Sequence, residues 1–264
     1  MATESQAGFE RLLDEAEARP TSGWDFSWLG DRYVQASPSW SYDDRARQLI
    51  GGSRRFVDLG TGGGEALSRM GPFPAVSFAT EAYAPNVGVA AGILRPLGVC
   101  VLAVDGAPDN DAQAGAPHEW LPFRDSSLDL VLARHESYWA CDVRRVLQRG
   151  GTFLTQQVGG TADCEVFRAL EAEEVRLPDV SLSLLTAQLR ESGLDVVVQR
   201  QEAVVSRLAD VGAVAWYAKM LPWQFPGFSI AAKRAQLWDL HRRIGSQGPV
   251  PLRSRWALVE AVKP

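Results

Sequence analysis

The chain has 264 residues, enough for one α/β domain with a full hydrophobic core, alone or with a modest appendage. Hydrophobic residues make up 46% and charged residues 22%, an ordinary globular balance, and no apolar run reaches the roughly 18 to 20 residues that cross a bilayer. A formal net charge of −5 and a pI near 5.3 argue against a polyanionic partner, because nucleic-acid binding needs a basic excess. Basic character is almost wholly arginine, with Lys219, Lys233 and Lys263 the only lysines, a bias read as genomic composition. The polar, acidic N-terminus lacks the basic and apolar regions of a secretory signal, so a cytoplasmic protein is expected. Cys100, Cys141 and Cys164 are scattered and read as reduced core thiols. His118, His135 and His241 form no ligand-spaced pair, and no metal is expected.

In chain order, residues 1–52 form a helical, aromatic extension carrying Trp24, Phe26, Trp28, Tyr33, Trp40 and Tyr42. A domain over 53–264 follows, in which short apolar runs alternate with helical stretches, the rhythm of βα units around a parallel sheet. Seven strands are predicted: 54–60, 75–81, 98–105, 128–135, 151–160, 193–201 and 255–263. The helices between them have readable ends. One runs over Ala84–Arg95 with Pro85 in its first turn, and one over Asp142–Gln148 is closed by Gly150 and Gly151. Another covers Ser181–Ser192, with Ser181 as N-cap and Gly193 at its end.

About fifty residues separate the last two strands, with helices predicted over Val211–Leu221 and Ser229–Ile244, stopped by Pro222 and Gly245. The linker PWQFPGF is too apolar for a plain solvent loop, and the insertion of about 206–250 reads as a helical lid. The expected fold class is therefore α/β. It is a Rossmann-like, seven-stranded, mostly parallel sheet with helices on both faces, a helical N-terminal extension and that lid.

The strongest single signal is VDLGTGGGEALSRM, 57–70. An apolar strand ends in Asp58, passes through Gly60, Thr61, Gly62, Gly63 and Gly64, and enters a helix at Glu65. Glycines permit positive φ in such a turn and let a flat cofactor lie against bare backbone. A dinucleotide loop would need a small residue where Glu65 stands, and a carboxylate there repels pyrophosphate. Asp58 suits instead a cofactor carrying an ammonium and a sulfonium. The next strand ends in Glu81, twenty-one residues after Gly60, where a carboxylate can accept from both ribose hydroxyls.

These residues resemble the class I S-adenosylmethionine-dependent methyltransferases, in particular the broad group called methyltransferase type 11. VDLGTGGGE matches that family's first motif and ATEAY (79–83) its second, which implies Glu81 on the ribose and Ala82 beside the adenine. LPFRDSSLDLV (121–131) and RRVLQRGGTFL (144–154) match the runs around its fourth and fifth strands. The resemblance implies S-adenosyl-L-methionine as cofactor, held by Asp58, Gly60, Thr61, Gly62, Gly64, Glu81, Ala82 and Arg134. An extra stretch, 107–120, intervenes before Leu121, so the adenine contact falls either to Asp105 or to the segment with Glu119 and Trp120.

Methyl transfer is an in-line displacement that proximity accelerates, with a base needed only when the acceptor must lose a proton. After the fourth strand stands RHESYW, with His135 as candidate base and Glu136 as its orienting or substituting carboxylate. Tyr138, Trp139, Gln157, Trp216 and Trp223 are candidate acceptor contacts. Of Gln156 and Gln157, one must point away by strand alternation. The acceptor expected is a small, partly apolar molecule. An RNA or protein acceptor, or cofactor binding without transfer, remain as alternatives. RHESYW differs from the [DN]-P-P-[FY] run of many base aminomethylases, and nothing in the sequence sets the oligomeric state.

Overall fold

A computed structural model describes residues 2–21, 26–112, 120–159, 165–170, 180–222 and 224–264. In chain order these form α1 (Ala2–Ala18), β1 (Tyr33–Val34), α2 (Tyr42–Gly52), β2 (Arg55–Leu59), α3 (Glu65–Ser68), β3 (Val76–Glu81), α4 (Ala84–Leu94) and β4 (Val99–Ala103). There follow β5 (Leu128–Arg134), α5 (Ala140–Val146), β6 (Leu147–Gly159), α6 (Glu165–Ala169), α7 (Leu182–Glu191), β7 (Asp195–Leu208), α8 (Val211–Met220), α9 (Arg234–Gln247) and β8 (Val250–Val262).

Hydrogen bonds join the strands in the order β1-β7-β8-β6-β5-β2-β3-β4. β2 runs parallel to β3 and to β5, β3 to β4, and β5 to β6, while β8 is antiparallel to β6. The chain winds outward from β2 to β4, then returns to build β5 and β6 on the other side. The order reverses between β2 and β5, where open α/β sheets bind their ligands. All seven expected strands are present. The eighth, β1, pairs two residues antiparallel to Arg207 and Leu208, too short a strand to leave a period in the sequence.

The chain divides into two units. One comprises the described residues of 38–159, 178–202 and 255–264. Its strands carry apolar side chains on both faces. Val57, Leu59, Val131, Ala133, Phe153 and Val259 bury one face against Val143 and Val146 of α5 and Leu185 and Leu189 of α7. Their neighbours Phe56, Leu130, Leu132, Leu154 and Leu258 bury the other against Ala46 and Ile50 of α2, Leu67 of α3 and Ala90 and Leu94 of α4. Two-residue alternation along each strand thus feeds two separate helical layers. Arg45 of α2 also forms a two-pronged pair with the buried Glu260 of β8, at 2.7 and 2.6 Å, which fixes where the start of α2 lies.

The other unit comprises the described residues of 1–37, 160–177 and 203–254. Phe9, Leu13 and Ala16 of α1 pack with Val214, Ala215 and Ala218 of α8 and with Leu237 and Leu240 of α9. Arg32 grips Asp210, the N-cap of α8, through two bonds of 2.7 Å. Lys219 closes the end of α1 by donating to the carbonyls of Ala16, Glu17 and Arg19 at 2.9, 3.0 and 3.4 Å.

Several boundaries differ from expectation. The helix predicted over 142–148 is α5, two residues earlier, and Gly150 and Gly151 lie inside β6 instead of closing a helix. Gly245 does not stop α9, which runs on to Gln247 and ends at Gly248 with φ of 88°. The third predicted strand stops at Ala103, two residues short of Asp105. Cys100 and Cys141 are exposed, not core thiols, and Cys164 lies outside the described residues. No helix among the described residues is long and apolar enough to cross a membrane.

The LPFRDSSLDLV run owes its course to one buried carboxylate. Asp142 of α5 accepts from the Leu121 amide at 2.6 Å and from Arg145 at 2.6 Å. Arg145 in turn donates to the carbonyls of Phe123 and Leu121 at 2.7 and 2.9 Å. Removing the carboxylate leaves a mostly buried guanidinium with only the exposed Asp125, 2.9 Å from it, as counter-charge, and leaves the buried Leu121 amide without its acceptor. Asp142→Ala should therefore lower the free energy of unfolding by about 3–5 kcal/mol. Urea titration should register this as a lower midpoint at unchanged slope, and a loss below about 1 kcal/mol would contradict the role given to the pair.

Candidate functional site

The carboxyl ends of β2, β3 and β5 bring together most of the residues singled out in the sequence. Parallel register sets Leu59 beside Ala133 and Glu81 beside Ala103, so the loops leave from one edge. The glycine loop is fastened to β3 by three bonds. Thr61 donates its amide to the Thr80 carbonyl at 2.9 Å, Gly60 donates to the Thr80 hydroxyl at 3.3 Å, and Gly62 donates to Glu81 Oε2 at 2.7 Å. Gly60, Gly62 and Gly64 have φ of 61°, 63° and 89°, values a side chain opposes. At Gly64 an added Cβ would also meet Leu94 at 2.9 Å, so this glycine lets α3 pack closely on α4.

Glu81 accepts a second amide, from Tyr83, at 2.8 Å on its other oxygen. Each oxygen keeps a lone pair, so the carboxylate is oriented without being used up. Ala82 is exposed, as is Tyr83 beside it. Trp120 donates its indole N–H to the Asp105 carbonyl at 2.6 Å, so these two candidates for the adenine contact are neighbours. Glu119, the third, lies outside the described residues, as does Trp223.

Three carboxylates gather at this edge: Asp58, Glu81 and Glu136. Burial pushes Asp58 up to about 7, with Glu81 adding to the rise while the Thr61 hydroxyl and Arg134 oppose it. Burial likewise pushes Glu136 up to about 7, reinforced by Glu81 and Asp58. Arg134 is the adjacent cation, but Asp43 of α2 holds it at 2.9 Å. Its guanidinium lies 5.6 Å from the ring centre of Tyr42. The buried Tyr42 hydroxyl has no hydrogen-bond partner among the described residues, and burial together with the charge of Asp58 raises its pKa well above the ordinary phenol value. Tyr42 and Asp43 were not among the expected site residues. The signal that could have found them is Ser41, a helix N-cap that fixes the start of α2.

His135, the candidate base, makes a side-chain contact with β6. Trp40 donates its indole N–H to Gln156 Oε1 at 2.8 Å, which turns the Gln156 amide nitrogen toward His135 Nε2, 3.3 Å away. That nitrogen must accept, so the proton sits on Nδ1 and the ring is neutral. Enclosure and the charge of Arg134 hold its pKa well below the ordinary imidazole value, although the residue keeps accessible surface. The imidazole lone pair is engaged by a glutamine that the sequence reading took for a possible substrate contact.

Both members of the Gln156–Gln157 pair are buried, because both faces of the sheet are covered and strand alternation sends the two side chains to opposite faces. Gln157 donates to the Glu136 carbonyl at 2.8 Å and to the Thr155 hydroxyl at 2.9 Å, so its amide nitrogen supports the loop after β5 and is not offered to an acceptor. Tyr138 is fully buried and packs edge-on to Phe153 at 4.7 Å, a core residue instead of a pocket wall. Trp139 is buried at the start of α5. Trp216 is buried in the core of the other unit, 5.2 Å from Trp28 and 5.9 Å from Phe26 between ring centres. Among the described residues no three histidine, cysteine or acidic side chains are grouped to hold a metal ion.

No family model matches the chain, and no curated protein matches it in sequence. Solved structures do. A protein of Bacillus halodurans C-125, assigned as a methyltransferase, superposes with a TM-score of 0.57 at 17% identity, over 85% of this chain and all of that one. A protein of unknown function from Deinococcus radiodurans R1 also reaches 0.57 at 17% identity, over 90% of this chain and 96% of the other. The [4+2]-cyclase SpnF superposes with a TM-score of 0.51 at 17% identity, over 97% of this chain and 92% of its own. The fold is that of the class I S-adenosylmethionine-dependent methyltransferases. At this level of identity the likeness defines the architecture, and the reaction has to be argued from the site.

The carboxyls make a measurable demand on stability. Asp58 and Glu136 bind protons more tightly folded, near pH 7, than at their ordinary values of 3.8 and 4.5. Their stabilisation is complete below about pH 4 and lost as the pH rises through about 7. His135, lowered from 6.5, works in the opposite sense below its ordinary value, but two carboxyls outweigh one imidazole. The melting temperature of the ligand-free protein should therefore fall from pH 5.5 to pH 8, and less so in Glu136→Gln. A melting temperature that climbs across this range would contradict the shifts.

Proposed function

We propose that the chain binds S-adenosyl-L-methionine and transfers its methyl group to an O, N or C atom of a small, partly apolar acceptor. The observation that carries this reading is the carboxylate set of Asp58, Glu81 and Glu136 around a glycine loop, with two of its members raised to about 7. Crowded anions with no free cation beside them among the described residues suit a ligand that brings positive charge. They oppose a dinucleotide, whose pyrophosphate would add to the repulsion.

The residues present fit the cofactor. Glu81, aligned by the amides of Gly62 and Tyr83, has lone pairs left for two ribose hydroxyls. Asp58 suits an ammonium, and the unpartnered Tyr42 hydroxyl is a donor that a ligand carboxylate would satisfy. Trp120, held by Asp105, and Ala82 are the candidates for flanking an adenine. Bound, the cofactor supplies an electrophilic methyl group on a sulfonium. The chain's contribution is to hold that group and an acceptor in line, an alignment worth about 7–11 kcal/mol for well-oriented reactants. With the His135 lone pair engaged by Gln156, transfer rests on positioning and on an acceptor that arrives deprotonated or needs no base.

The same engaged imidazole supports a second reading, cofactor binding without methyl transfer. The architecture is not confined to methyl transfer, since one structure similar to this chain is described as a cyclase. The acidic charge balance supports a small acceptor over RNA.

Calorimetry tests the cofactor directly. S-adenosylmethionine should bind in the micromolar range and NAD should not, and Glu81→Ala should weaken the former by about 1.5–3 kcal/mol, the scale of a lost charge-assisted hydrogen bond. Tight NAD binding with no response to S-adenosylmethionine would sink the reading.

A further inference from the structure

The side chain of His135 ends a hydrogen-bond chain whose direction is set by its first member. The indole of Trp40 has an N–H and no acceptor, so it can only donate. It donates to Gln156 Oε1 at 2.8 Å, which leaves the Gln156 amide nitrogen facing His135 Nε2 at 3.3 Å. An amide nitrogen can only donate in turn, and the imidazole proton is thereby sent to Nδ1. Exchanging the oxygen and nitrogen of Gln156 would set N–H against N–H at Trp40. All three residues belong to the same unit of the chain.

The ring is held as firmly as its polarity. The His135 amide donates to the Gln156 carbonyl at 2.8 Å, so one residue of β6 fixes both main chain and side chain. Trp256 of β8 meets the imidazole edge-on, with 5.2 Å between ring centres. His135 has φ of 59°, in the left-handed region that a β-carbon opposes. A residue kept in that conformation is more often a mark of function than of packing. Nδ1 itself, the atom that carries the proton, meets no acceptor among the described residues, and His135 keeps accessible surface. The charge that bears on the ring comes from Arg134 and is positive. An oriented N–H beside a cation, at the carboxyl end of β5 where the strand order reverses, is a seat for an oxygen.

We infer that His135 determines specificity in the acceptor site, its Nδ1–H holding an ionised oxygen nucleophile, a carboxylate or a phenolate. The inference rests on the methyltransferase reading above and narrows its O, N or C acceptor to oxygen. A neutral amine has one lone pair, and an N–H facing it would occupy the pair needed for attack. An ionised oxygen has further pairs, so one accepts from Nδ1–H while another points at the methyl carbon. In the transfer an oxygen pair forms the new O–C bond and the S–C electron pair stays on sulfur. Oxyanion and sulfonium both become neutral, and no proton is left for the ring to take. Trp40 and Gln156 are positioning residues that act through the imidazole.

Nitrogen-15 spectra of histidine-labelled protein read the tautomer directly, with three histidines in the chain to resolve. In the ligand-free wild type at pH 8, His135 should carry its proton on Nδ1 with Nε2 bare. Trp40→Phe frees the Gln156 amide to turn and should bring protonated Nε2 into the mixture. Benzoate, 4-nitrophenolate and aniline are then titrated into protein saturated with S-adenosylhomocysteine, calorimetry confirming occupancy. At least one oxygen probe should move the Nδ1 signal, and aniline should not. His135→Asn tolerates the left-handed backbone, places an amide N–H near the position of Nδ1 and has no basic nitrogen. It should bind the responding probe within about threefold of wild type, whereas His135→Leu should weaken it about tenfold, the scale of a lost hydrogen bond to a charged group. A wild-type ring protonated on Nε2, a response to aniline equal to that of the oxygen probes, or no response to any probe would overturn the inference. Equal weakening in His135→Asn and His135→Leu would make the residue a structural prop and overturn it too, with the cofactor assignment left standing. Calorimetry that finds no S-adenosylhomocysteine binding to the wild type would remove the cofactor assignment and the inference together.

Discussion

Parallel pairing is the constraint on which the site depends. Strands that run the same way end at the same edge, so β2, β3 and β5 deliver Asp58, Glu81 and the Arg134–Glu136 turn to one place with no long-range device needed to bring them there. The glycine loop then has one route, because its amides are taken by Thr80 and Glu81 on the neighbouring strand. The charge problem follows directly. Three strand ends that carry acids, packed at roughly one strand spacing, crowd negative charge that Arg134, itself held by Asp43, does not cancel.

What this edge offers is a field and not a catalytic group. Its imidazole is neutral and already an acceptor, and of the neighbouring glutamines Gln156 serves Trp40 and His135 while Gln157 serves the backbone. Methyl transfer from a sulfonium asks little more than that, since the leaving group departs neutral and the nucleophile brings its own electrons. A site that recognises charge and fixes position is sufficient chemistry for that reaction.

Most of the fold was legible in the sequence because its signals are local. Apolar runs with period two, proline at the start of α4 and serine before α7 each mark an element by themselves, and the glycine loop with Asp58 and Glu81 reads from spacing alone. The misreadings share a cause, which is competition for a hydrogen bond over long sequence distance. The sequence offered His135 without its partner, because Gln156 stands 21 residues away and is itself turned by Trp40, 116 residues from it. Tyr138 read as a pocket wall because nothing in RHESYW says that Phe153 will lie beside it. Tyr42 went unnoticed because its importance comes from Asp58 and Arg134, which only the packing of α2 brings near. Gly150 and Gly151 marked a real break in the chain, but a turn within a strand and a helix stop leave the same residues behind.

Two of the three lysines of this arginine-rich chain show where composition yields to geometry. A guanidinium is a flat fork that reaches along one plane, whereas an ammonium directs three donors into a cone. At the end of α1 the carbonyls of Ala16, Glu17 and Arg19 converge as a cone, and Lys219 stands there. Lys263, donating to the Leu147 carbonyl and the Ser126 hydroxyl at 2.6 and 3.3 Å, fills a similar role at the end of the chain. A coding bias can exchange the basic residues freely on a solvated surface. It stops at the few points where a tetrahedral cation closes off the backbone.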